Sequence, residues 1–476
     1  MSAGLLGALL GLLSFPLLTR SLSVEDYGLL GLVSATVTIF VSFAKLGLQS
    51  ALMRFYSEAQ TRGAEHLNRL LSNVASAIVV LTLIGTFLWL VYTQFALPLI
   101  DDTPLLHRLF LIGTALVPIK IAHSLLANLL QADQQSHTIS TITVTEKCFR
   151  LLGIITIVVL IGLSSERALK LFILSELIFL LVVGFYCRSY LSQIKPSLQT
   201  SILTPLVAYG IPAMLAELTA VLLETGDRYV IQAYLGAAPL GQYAAAVNIC
   251  MYLEWVLILA LQSAIVPHYV KLFEEKGRAE TVAFLNNALT LYVAIGIGVL
   301  VVFCIAAPQL VLFLAGEKYR DGLLVIPWFA TGYLLVGAIC IAAAGVFIDK
   351  RTGLLVKWTV IAFFINLALN FAFIPRYGLL AAAIATFLAM CVRSIGVYSD
   401  ARKTLPVAIP WTTVGLAIGC AIPAYLLGAL VHTNTPFIDL FLGSAVTGTV
   451  YVLAMMLLST TLRQWVLDKV HTFIEK

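Results

Sequence analysis

Long apolar runs constrain this chain more than any other feature of its sequence. Leu81–Leu97 and Tyr292–Ala307 are two of them, and 60% of all residues are hydrophobic against 11% charged. Soluble domains carry about 25% charged residues, so a soluble chain of this composition would expose large apolar surfaces. A bilayer accepts such surfaces, provided that the backbone groups pair within the protein. Membrane barrels alternate apolar and polar residues, so continuous runs predict membrane-spanning helices.

A helix needs about 20 mostly apolar residues to cross a bilayer. By this measure the sequence predicts fourteen spans, at residues 3–19, 28–50, 70–97, 105–131, 141–163, 169–187, 203–235, 240–266, 282–314, 322–348, 354–374, 378–398, 411–431 and 436–458. With the N-terminus inside, nineteen Lys and Arg residues lie on the inner side, in loops, the tail or parts of spans counted with that side, and eight lie on the outer side. This asymmetry predicts cytoplasmic N- and C-termini. Met1–Leu18 lacks the basic start and cleavage site of a signal peptide, so we expect it to form the first span.

Two short segments repeat at the ends of the second and eighth predicted spans. LQSALMRFY begins at Leu48 and LQSAIVPHY begins at Leu261, 213 positions later, and Gly28 and Gly241 match at the same spacing. This offset contains six spans, and an even number gives both halves the same orientation in the membrane. The repeat predicts two six-helix lobes and an addition, with boundaries at residues 1–200, 201–404 and 405–476; the last contains spans 13 and 14 and a cytoplasmic tail.

Two spans carry polar stripes along one helical face. The stripe of span 2 contains Ser34, Thr38, Ser42, Lys45 and Gln49, and that of span 4 contains Lys120, Ser124, Asn128, Gln131 and Gln135, with His123 beside it. A Lys near the bilayer centre costs about 2.5–3.5 kcal/mol unless it faces water or a counter-charge. Lys45 and Lys120 therefore indicate a cationic cavity wall for an anionic substrate, an internal ion pair, or side chains that snorkel to the surface.

Span 7 carries four charged residues, Glu217, Glu224, Asp227 and Arg228. Glu224 and Arg228 have the spacing of a helical ion pair. Glu217 has no opposite charge near it in sequence, so we expect it to couple transport to an ion by carrying a proton. Glu176 and Glu254 are lone acids in other spans and are alternatives for this role.

Other features exclude several classes of protein. The seven cysteines show no CxxC spacing, which favours small core residues over a metal centre. A GxxxxGK[ST] phosphate loop is absent, so the chain does not hydrolyse ATP itself. The predicted loops do not exceed about 20 residues and leave no room for a soluble catalytic domain. A net charge of +5 does not indicate nucleic acid. We expect neither an enzyme nor a bound cofactor.

A series of short motifs resembles bacterial polysaccharide repeat-unit flippases, the Wzx-type proteins of O-antigen and exopolysaccharide synthesis. These form a branch of the multidrug/oligosaccharidyl-lipid/polysaccharide (MOP) exporter superfamily. The motifs cover nearly the whole chain, and their order makes them specific. They are PLLTR at 16–20, LSVEDYG at 22–28, YGIP at 209–212, GDR at 226–228, GQY at 241–243, and Asn366 to Asn370 followed by IPRYG at 374–378.

The resemblance implies an all-α inner-membrane protein that works by alternating access between two lobes. Its implied substrate is a polyprenyl-diphosphate-linked oligosaccharide, and further expected partners are a polysaccharide polymerase and a chain-length regulator. The expected substrate-binding residues are Arg20, Lys45, Arg54, Lys120, His123, Asn128, Asn366 and Asn370, with the diphosphate against the cations. The residues expected to couple or gate transport are Glu217, Glu224, Asp227 and Arg228.

Other functions stay open at this point. Fourteen spans also fit a flippase for lipid II-type peptidoglycan precursors. An ion-coupled multidrug exporter of the same superfamily is a third candidate, but Lys45 and Lys120 do not suit cationic drugs. A membrane glycosyltransferase or polymerase would need a large periplasmic loop or an acidic catalytic motif.

In span 11, Thr359, Asn366 and Asn370 share a face, and hydrogen bonding between helices is the alternative to sugar contact.

Overall fold

The structure is a computed structural model that describes residues 2–99, 103–431, 433, 435–459 and 463. These residues form helices and contain no β-strand, so the predicted fold class is confirmed. All fourteen predicted spans fall on helical segments. Within the described part of the chain, ten helices are long and apolar enough to cross a membrane. Apart from residues 459 and 463, the predicted cytoplasmic tail lies outside the described residues.

The chain forms two compact units, Met1–Gly241 and Gln242–Lys476. The repeat places residues 201–241 in the second lobe, whereas the helix Thr200–Thr225 packs on the helices Val24–Ala44, Leu48–Thr61 and Ala64–Val91 within the first unit. The boundaries derived from the repeat stay a prediction. The described helices of the first unit are α1 (Ser2–Ser21), α2 (Val24–Ala44), α3 (Leu48–Thr61), α4 (Ala64–Val91), α5 (Pro104–Gly113), α6 (Leu116–Ala132), α7 (Ser136–Ile161), α8 (Ser165–Tyr186), α9 (Arg188–Leu191), α10 (Thr200–Thr225) and α11 (Asp227–Leu235).

The second unit begins within α12 (Ala237–Glu254). Two of its helices are bent by glycines in the left-handed region, Gly277 with φ 77° and Gly378 with φ 62°. The bend at Gly378 separates predicted spans 11 and 12. The further helices are α13 (Ala260–Leu310), α14 (Ile326–Ala342), α15 (Ala344–Ile348), α16 (Gly353–Ala401), α17 (Trp411–Ala429) and α18 (Pro436–Leu458).

The LSVEDYG motif starts α2 and makes a close helix contact. The hydroxyl of Ser23 caps the helix by accepting a hydrogen bond from the backbone N–H of Asp26 at 3.0 Å. Gly28 lies against the backbone around Gly241, where a Cβ would come within 2.6 Å of the Gly241 nitrogen. The two glycines that the repeat matched therefore pack directly on each other within the first unit.

A break that we did not predict interrupts span 2. α2 ends at Ala44, and Leu46 and Gly47 take positive φ angles of 46° and 70° before α3 begins. Gly47 lies against α10, where a Cβ would sit 1.9 Å from the carbonyl oxygen of Gly210. Any larger side chain at Gly47 would both strain this turn and force α10 away. Backbone contact at this point brings the polar residues of the break up to α10.

The segment between α9 and α10 is fastened along one face of α4, and we call it the linker strap (residues 192–199). Its backbone N–H groups at Lys195, Ser197 and Gln199 donate to Ser72 Oγ at 3.0 Å, Ser76 Oγ at 3.0 Å and Asn73 Oδ1 at 2.6 Å. Every second N–H of an extended chain points the same way, so one helix face satisfies all three.

We expect the double variant Asn73→Ala/Ser76→Ala to release the linker strap. Each lost bond contributes about 0.5–1.5 kcal/mol, so the opened population should rise roughly tenfold or more. Limited digestion of the purified protein with proteinase K, followed by mass spectrometry, measures cleavage within residues 192–199. The exposed Ser57→Ala serves as the control. An unchanged cleavage rate in the double variant would show that these bonds do not hold the strap.

Candidate functional site

The first polar cluster surrounds the carboxylate of Glu217 on α10, and we call Ser42, Lys45, Gln49 and Glu217 the Glu217 cluster. Glu217 Oε1 accepts hydrogen bonds from the Ser42 hydroxyl at 2.8 Å and from the Lys45 ammonium at 3.1 Å. Its other oxygen accepts from the Gln49 amide at 2.7 Å. Three residues of the predicted stripe of span 2 thus converge on the acid that the sequence left unpaired.

The break in span 2 assembles this cluster. Ser42 lies on α2, Lys45 in the turn and Gln49 on α3, so a single carboxylate of α10 reaches all three. Lys45 is 7% exposed, and a lone buried ammonium would be costly. Glu217 supplies its counter-charge, so Lys45 forms the internal ion pair that was one of the three alternatives from the sequence. Whether Lys45 also binds substrate stays a prediction.

The stripe of span 4 faces the stripe of span 2 at one point. The ammonium of Lys45 donates to Ser124 Oγ on α6 at 3.4 Å. One turn later along α6, the amide of Asn128 donates to the backbone carbonyl of Ser124 at 2.7 Å. The Asn128 amide therefore donates at least one hydrogen bond within its own helix, and its predicted contact with substrate is untested.

The second polar cluster surrounds the carboxylate of Glu176 on α8, and we call Lys120, His123, Glu146, Arg150, Ser175 and Glu176 the Glu176 cluster. Lys120 Nζ lies 3.1 Å from Glu176 Oε1, and His123 Nδ1 lies 2.9 Å from Oε2. Arg150 Nη2 lies 3.5 Å from Oε1. The sequence predicted the two α6 residues as substrate contacts and Glu176 as a lone acid, and it did not predict that they meet.

Arg150 joins α7 to this cluster. Its guanidinium contacts the carboxylate of Glu146, four residues earlier on the same helix, at 2.5 Å, and the hydroxyl of Ser175 at 3.4 Å. Side chains from α6, α7 and α8 therefore meet around Glu176, which is 6% exposed. The sequence signal for this cluster was the pair of Glu146 with Arg150 together with an acid in the next span.

Three members of the Glu176 cluster have the arrangement of metal ligands. One atom each of His123, Glu146 and Glu176 lie within 4.8 Å of one another. However, Lys120 and Arg150 already contact the same carboxylates. A divalent cation would add to two fixed positive charges at short range, which opposes binding. The donor set therefore fits an ion-pair network better than a metal centre.

The charged residues at the end of span 7 lie at the junction of α10 and α11. Asp227 is 1% exposed, and Arg228 Nη1 lies 3.4 Å from the carbonyl oxygen of Gly31 on α2. The neighbouring Tyr229 hydroxyl donates to Thr36 on α2 at 2.6 Å. The junction is thereby fixed against α2, and the predicted gating role of Glu224, Asp227 and Arg228 is untested.

The polar residues of α16 form a buried chain of hydrogen bonds in the second unit. The Asn366 amide donates to Thr386 Oγ1 at 3.1 Å across the bend at Gly378. The Asn370 amide donates to Asn366 Oδ1 at 2.9 Å. Asn370 Oδ1 is buried and has no hydrogen-bond partner among the described residues. Bonding between helices, one of the two predicted roles, is therefore present, and one acceptor remains available.

The two remaining predicted cations lie elsewhere in the first unit. Arg20 is exposed in the last turn of α1. Arg54 is exposed on α3, with its guanidinium 5.9 Å from the centre of the Phe55 ring. Their expected contact with a diphosphate stays a prediction.

Comparison with known proteins establishes the family. The family model described as polysaccharide biosynthesis protein matches residues 1–273, more than half of the chain. The chain belongs to the polysaccharide biosynthesis protein family. This confirms the resemblance inferred from the motifs. A search of curated proteins found no significant match.

Solved structures of the same fold are MOP superfamily transporters and flippases. The lipid II flippase MurJ, in an inward closed conformation, is similar with a TM-score of 0.78 and 14% identity over 96% of this chain and 97% of that one. An inward-facing MATE multidrug resistance transporter gives 0.66 and 17% identity over 84% and 93%. A MOP transporter from Pyrococcus furiosus, described as having a binding pocket of reverse polarity, gives 0.55 and 14% over 84% and 92%.

Proposed function

We propose that this protein is a flippase for polyprenyl-diphosphate-linked oligosaccharide repeat units. It moves them from the cytoplasmic to the periplasmic leaflet of the bacterial inner membrane, for the synthesis of surface polysaccharide. The observation that carries the proposal is the polar face of α6, which presents Lys120 and contacts Lys45, in a member of a polysaccharide biosynthesis family. Intramembrane lysines suit an anionic diphosphate and do not suit a cationic drug.

In this proposal each of the two clusters contributes one lysine to the diphosphate site. The ammonium groups of Lys45 and Lys120 bind the diphosphate, while the polyprenyl chain stays among lipid tails and the sugars cross through the protein. Asn366 and Asn370 supply amide contacts for sugar hydroxyls. When the diphosphate takes the ammonium of Lys45, Glu217 loses its ionic partner. An unpaired carboxylate in the membrane then takes up a proton, which couples the step to the proton gradient.

A lipid II-type precursor is the second candidate substrate. The observation that favours it is the similarity to the lipid II flippase MurJ over 96% of this chain, against 84% for the inward-facing MATE transporter. Both substrates contain a polyprenyl diphosphate, so the two clusters do not distinguish them. The sugars differ, and a genetic experiment separates the two functions.

Deletion of the gene tests the proposal directly. We expect the deletion strain to lose surface polysaccharide and to accumulate lipid-linked repeat units, while peptidoglycan synthesis continues. Polysaccharide is measured by gel electrophoresis of cell extracts, and lipid-linked units by mass spectrometry of membrane lipids. Wild-type protein supplied from a plasmid is the control. Normal polysaccharide in a strain without a second flippase would refute the proposal, and arrested peptidoglycan synthesis would favour the lipid II reading.

We also propose how the chain is oriented in the membrane. With cytoplasmic N- and C-termini, the loop between α3 and α4 and the linker strap both lie on the cytoplasmic side. Cysteine labelling of intact cells with a membrane-impermeant reagent tests this: Arg62→Cys is expected to stay unlabelled and Arg167→Cys to react. Contact with a polysaccharide polymerase and a chain-length regulator is proposed on the family resemblance alone.

A further inference from the structure

Lys120 is paired with the carboxylate of Glu176, so an anionic ligand would compete with that carboxylate for the ammonium group. Three positively charged or protonatable groups, on Lys120, His123 and Arg150, converge on the Glu176 carboxylate at 3.1, 2.9 and 3.5 Å. Ser175 adds a hydroxyl beside them. A carboxylate and a phosphate group both offer negatively charged oxygens that accept several donors at once. The donors around Glu176 therefore form a site for an oxyanion, and the protein's own side chain occupies it.

We propose that Glu176 is a resident counter-anion: its carboxylate occupies an oxyanion site formed by Lys120, His123 and Arg150, and a phosphate group of the substrate displaces it. This inference rests on the proposed function and deepens it, because it assigns a competitor for the substrate within the site. Glu176 is a positioning residue in this scheme, since it acts through the three groups that it holds.

Burial and charge support an exchange rather than a simple addition. The side chain of Glu176 is 8% exposed, whereas that of Lys120 is 37% exposed, so the lysine is more accessible to a ligand than the carboxylate is. Lys120 and Arg150 together balance Glu146 and Glu176. A diphosphate added to this balanced cluster would bring uncompensated negative charge into the membrane. If the carboxylate turns away, the same donors are free for the phosphate oxygens.

The exchange gives the site moderate affinity. A cationic site without a competitor would hold a diphosphate tightly and release it slowly, which would limit transport. A competing carboxylate weakens binding by the free energy of the ion pair that must be broken, and it restores that pair when the substrate leaves. Loss of the charge on Glu176 should therefore tighten binding and slow turnover, which is a pattern that simple damage to the fold does not produce.

The test uses the full-length protein in nanodiscs and equilibrium binding of farnesyl diphosphate, with farnesol and inorganic diphosphate as comparisons. For Glu176→Gln we expect roughly three- to tenfold tighter binding of farnesyl diphosphate than for wild type, the effect of one partly buried ion pair that no longer competes. In a flipping assay the same variant should show a lower half-saturating concentration and a lower maximal rate. Glu176→Asp keeps the charge but shortens the side chain, so it should fall between the two and remains available if the Gln variant does not fold.

Glu65→Gln is the matched control. Glu65 is an exposed acid outside both clusters, paired with Arg69 on the same helix, so its removal should change affinity less than twofold. Equal or weaker binding by Glu176→Gln and Glu176→Asp, with wild-type binding that still depends on Lys120, would overturn this inference and leave the proposed function standing. Binding of farnesyl diphosphate no tighter than farnesol, in wild type and variants alike, would overturn both. An effect seen with inorganic diphosphate alone would assign the site to a soluble anion and overturn the lipid-linked form.

Discussion

Replacing Glu217 by Ala is expected to lower the free energy of unfolding by about 2–3 kcal/mol. Loss of one partner from a buried ion pair costs about 3–5 kcal/mol, because the other charge remains buried. Lys45 is that charge, with a side chain 9% exposed, and Ser42 and Gln49 lose their acceptor as well. The side chain of Glu217 is 35% exposed, so solvent screens part of the interaction and we place the effect below that range. Thermal unfolding of the purified protein in detergent measures it.

A surface control and a double variant separate the effect of charge from that of packing. Glu58→Ala removes the acid of an exposed i,i+4 pair with Arg62, away from the Glu217 cluster, so we expect the free energy of unfolding to change by no more than about 0.5 kcal/mol. The double variant Lys45→Met/Glu217→Leu replaces both charges with apolar groups and should regain most of the lost stability. It should not regain transport. Wild-type stability of Glu217→Ala would show that the contacts seen here contribute nothing to the folded state.

Lys120→Ala is expected to reduce flipping more than tenfold without reducing membrane insertion. A charge-assisted hydrogen bond to phosphate contributes about 1.5–3 kcal/mol, which corresponds to roughly ten- to hundredfold in binding. Insertion should hold because Glu176 keeps His123 and Arg150 as partners. Flipping of a fluorescent lipid-linked oligosaccharide in proteoliposomes measures transport, and protein recovered from washed membranes measures insertion.

Lys147→Ala is the control for loss of an intramembrane lysine. Lys147 lies on α7 and donates to the carbonyl of Gly7 on α1 at 3.1 Å, so it is a lysine outside the polar face of α6. We expect less than a threefold change in flipping. Lys120→Arg keeps the charge and should keep most of the activity. Full activity of Lys120→Ala would remove Lys120 from the substrate path and would weaken the proposed function.

The sequence predicted the helical membrane fold because that fold depends on properties that are local along the chain. The apolar length of each span sets a helix, and all fourteen predicted spans fall on helical segments. Gly28 and Gly241 also emerged from the repeat alone, and they contact each other. The break at Leu46 and Gly47 escaped prediction because no proline marks it, and because its stability depends on backbone contact with Gly210, far along the chain.

The site was predicted in parts rather than as a whole. Helical periodicity placed Ser42, Lys45 and Gln49 on one face, because these residues lie close in sequence. Their acceptor, Glu217, is 172 positions from Lys45, and periodicity does not reach that far. The same limit applies to Glu176, which is 53 positions from His123. Pairing between distant spans depends on how the helices pack, so it required the structure.

The linker strap has a consequence for how this part of the chain can change in evolution. All three donors are backbone N–H groups, so the side chains of Lys195, Ser197 and Gln199 are free to vary, with proline alone forbidden. The proline of the strap is Pro196, which lies between the first two donors and is not one of them. Length is a stricter constraint than identity. Loss of one residue would turn the donors away from the helix, whereas loss of two would preserve the alternation, so insertions and deletions here should be tolerated in even numbers.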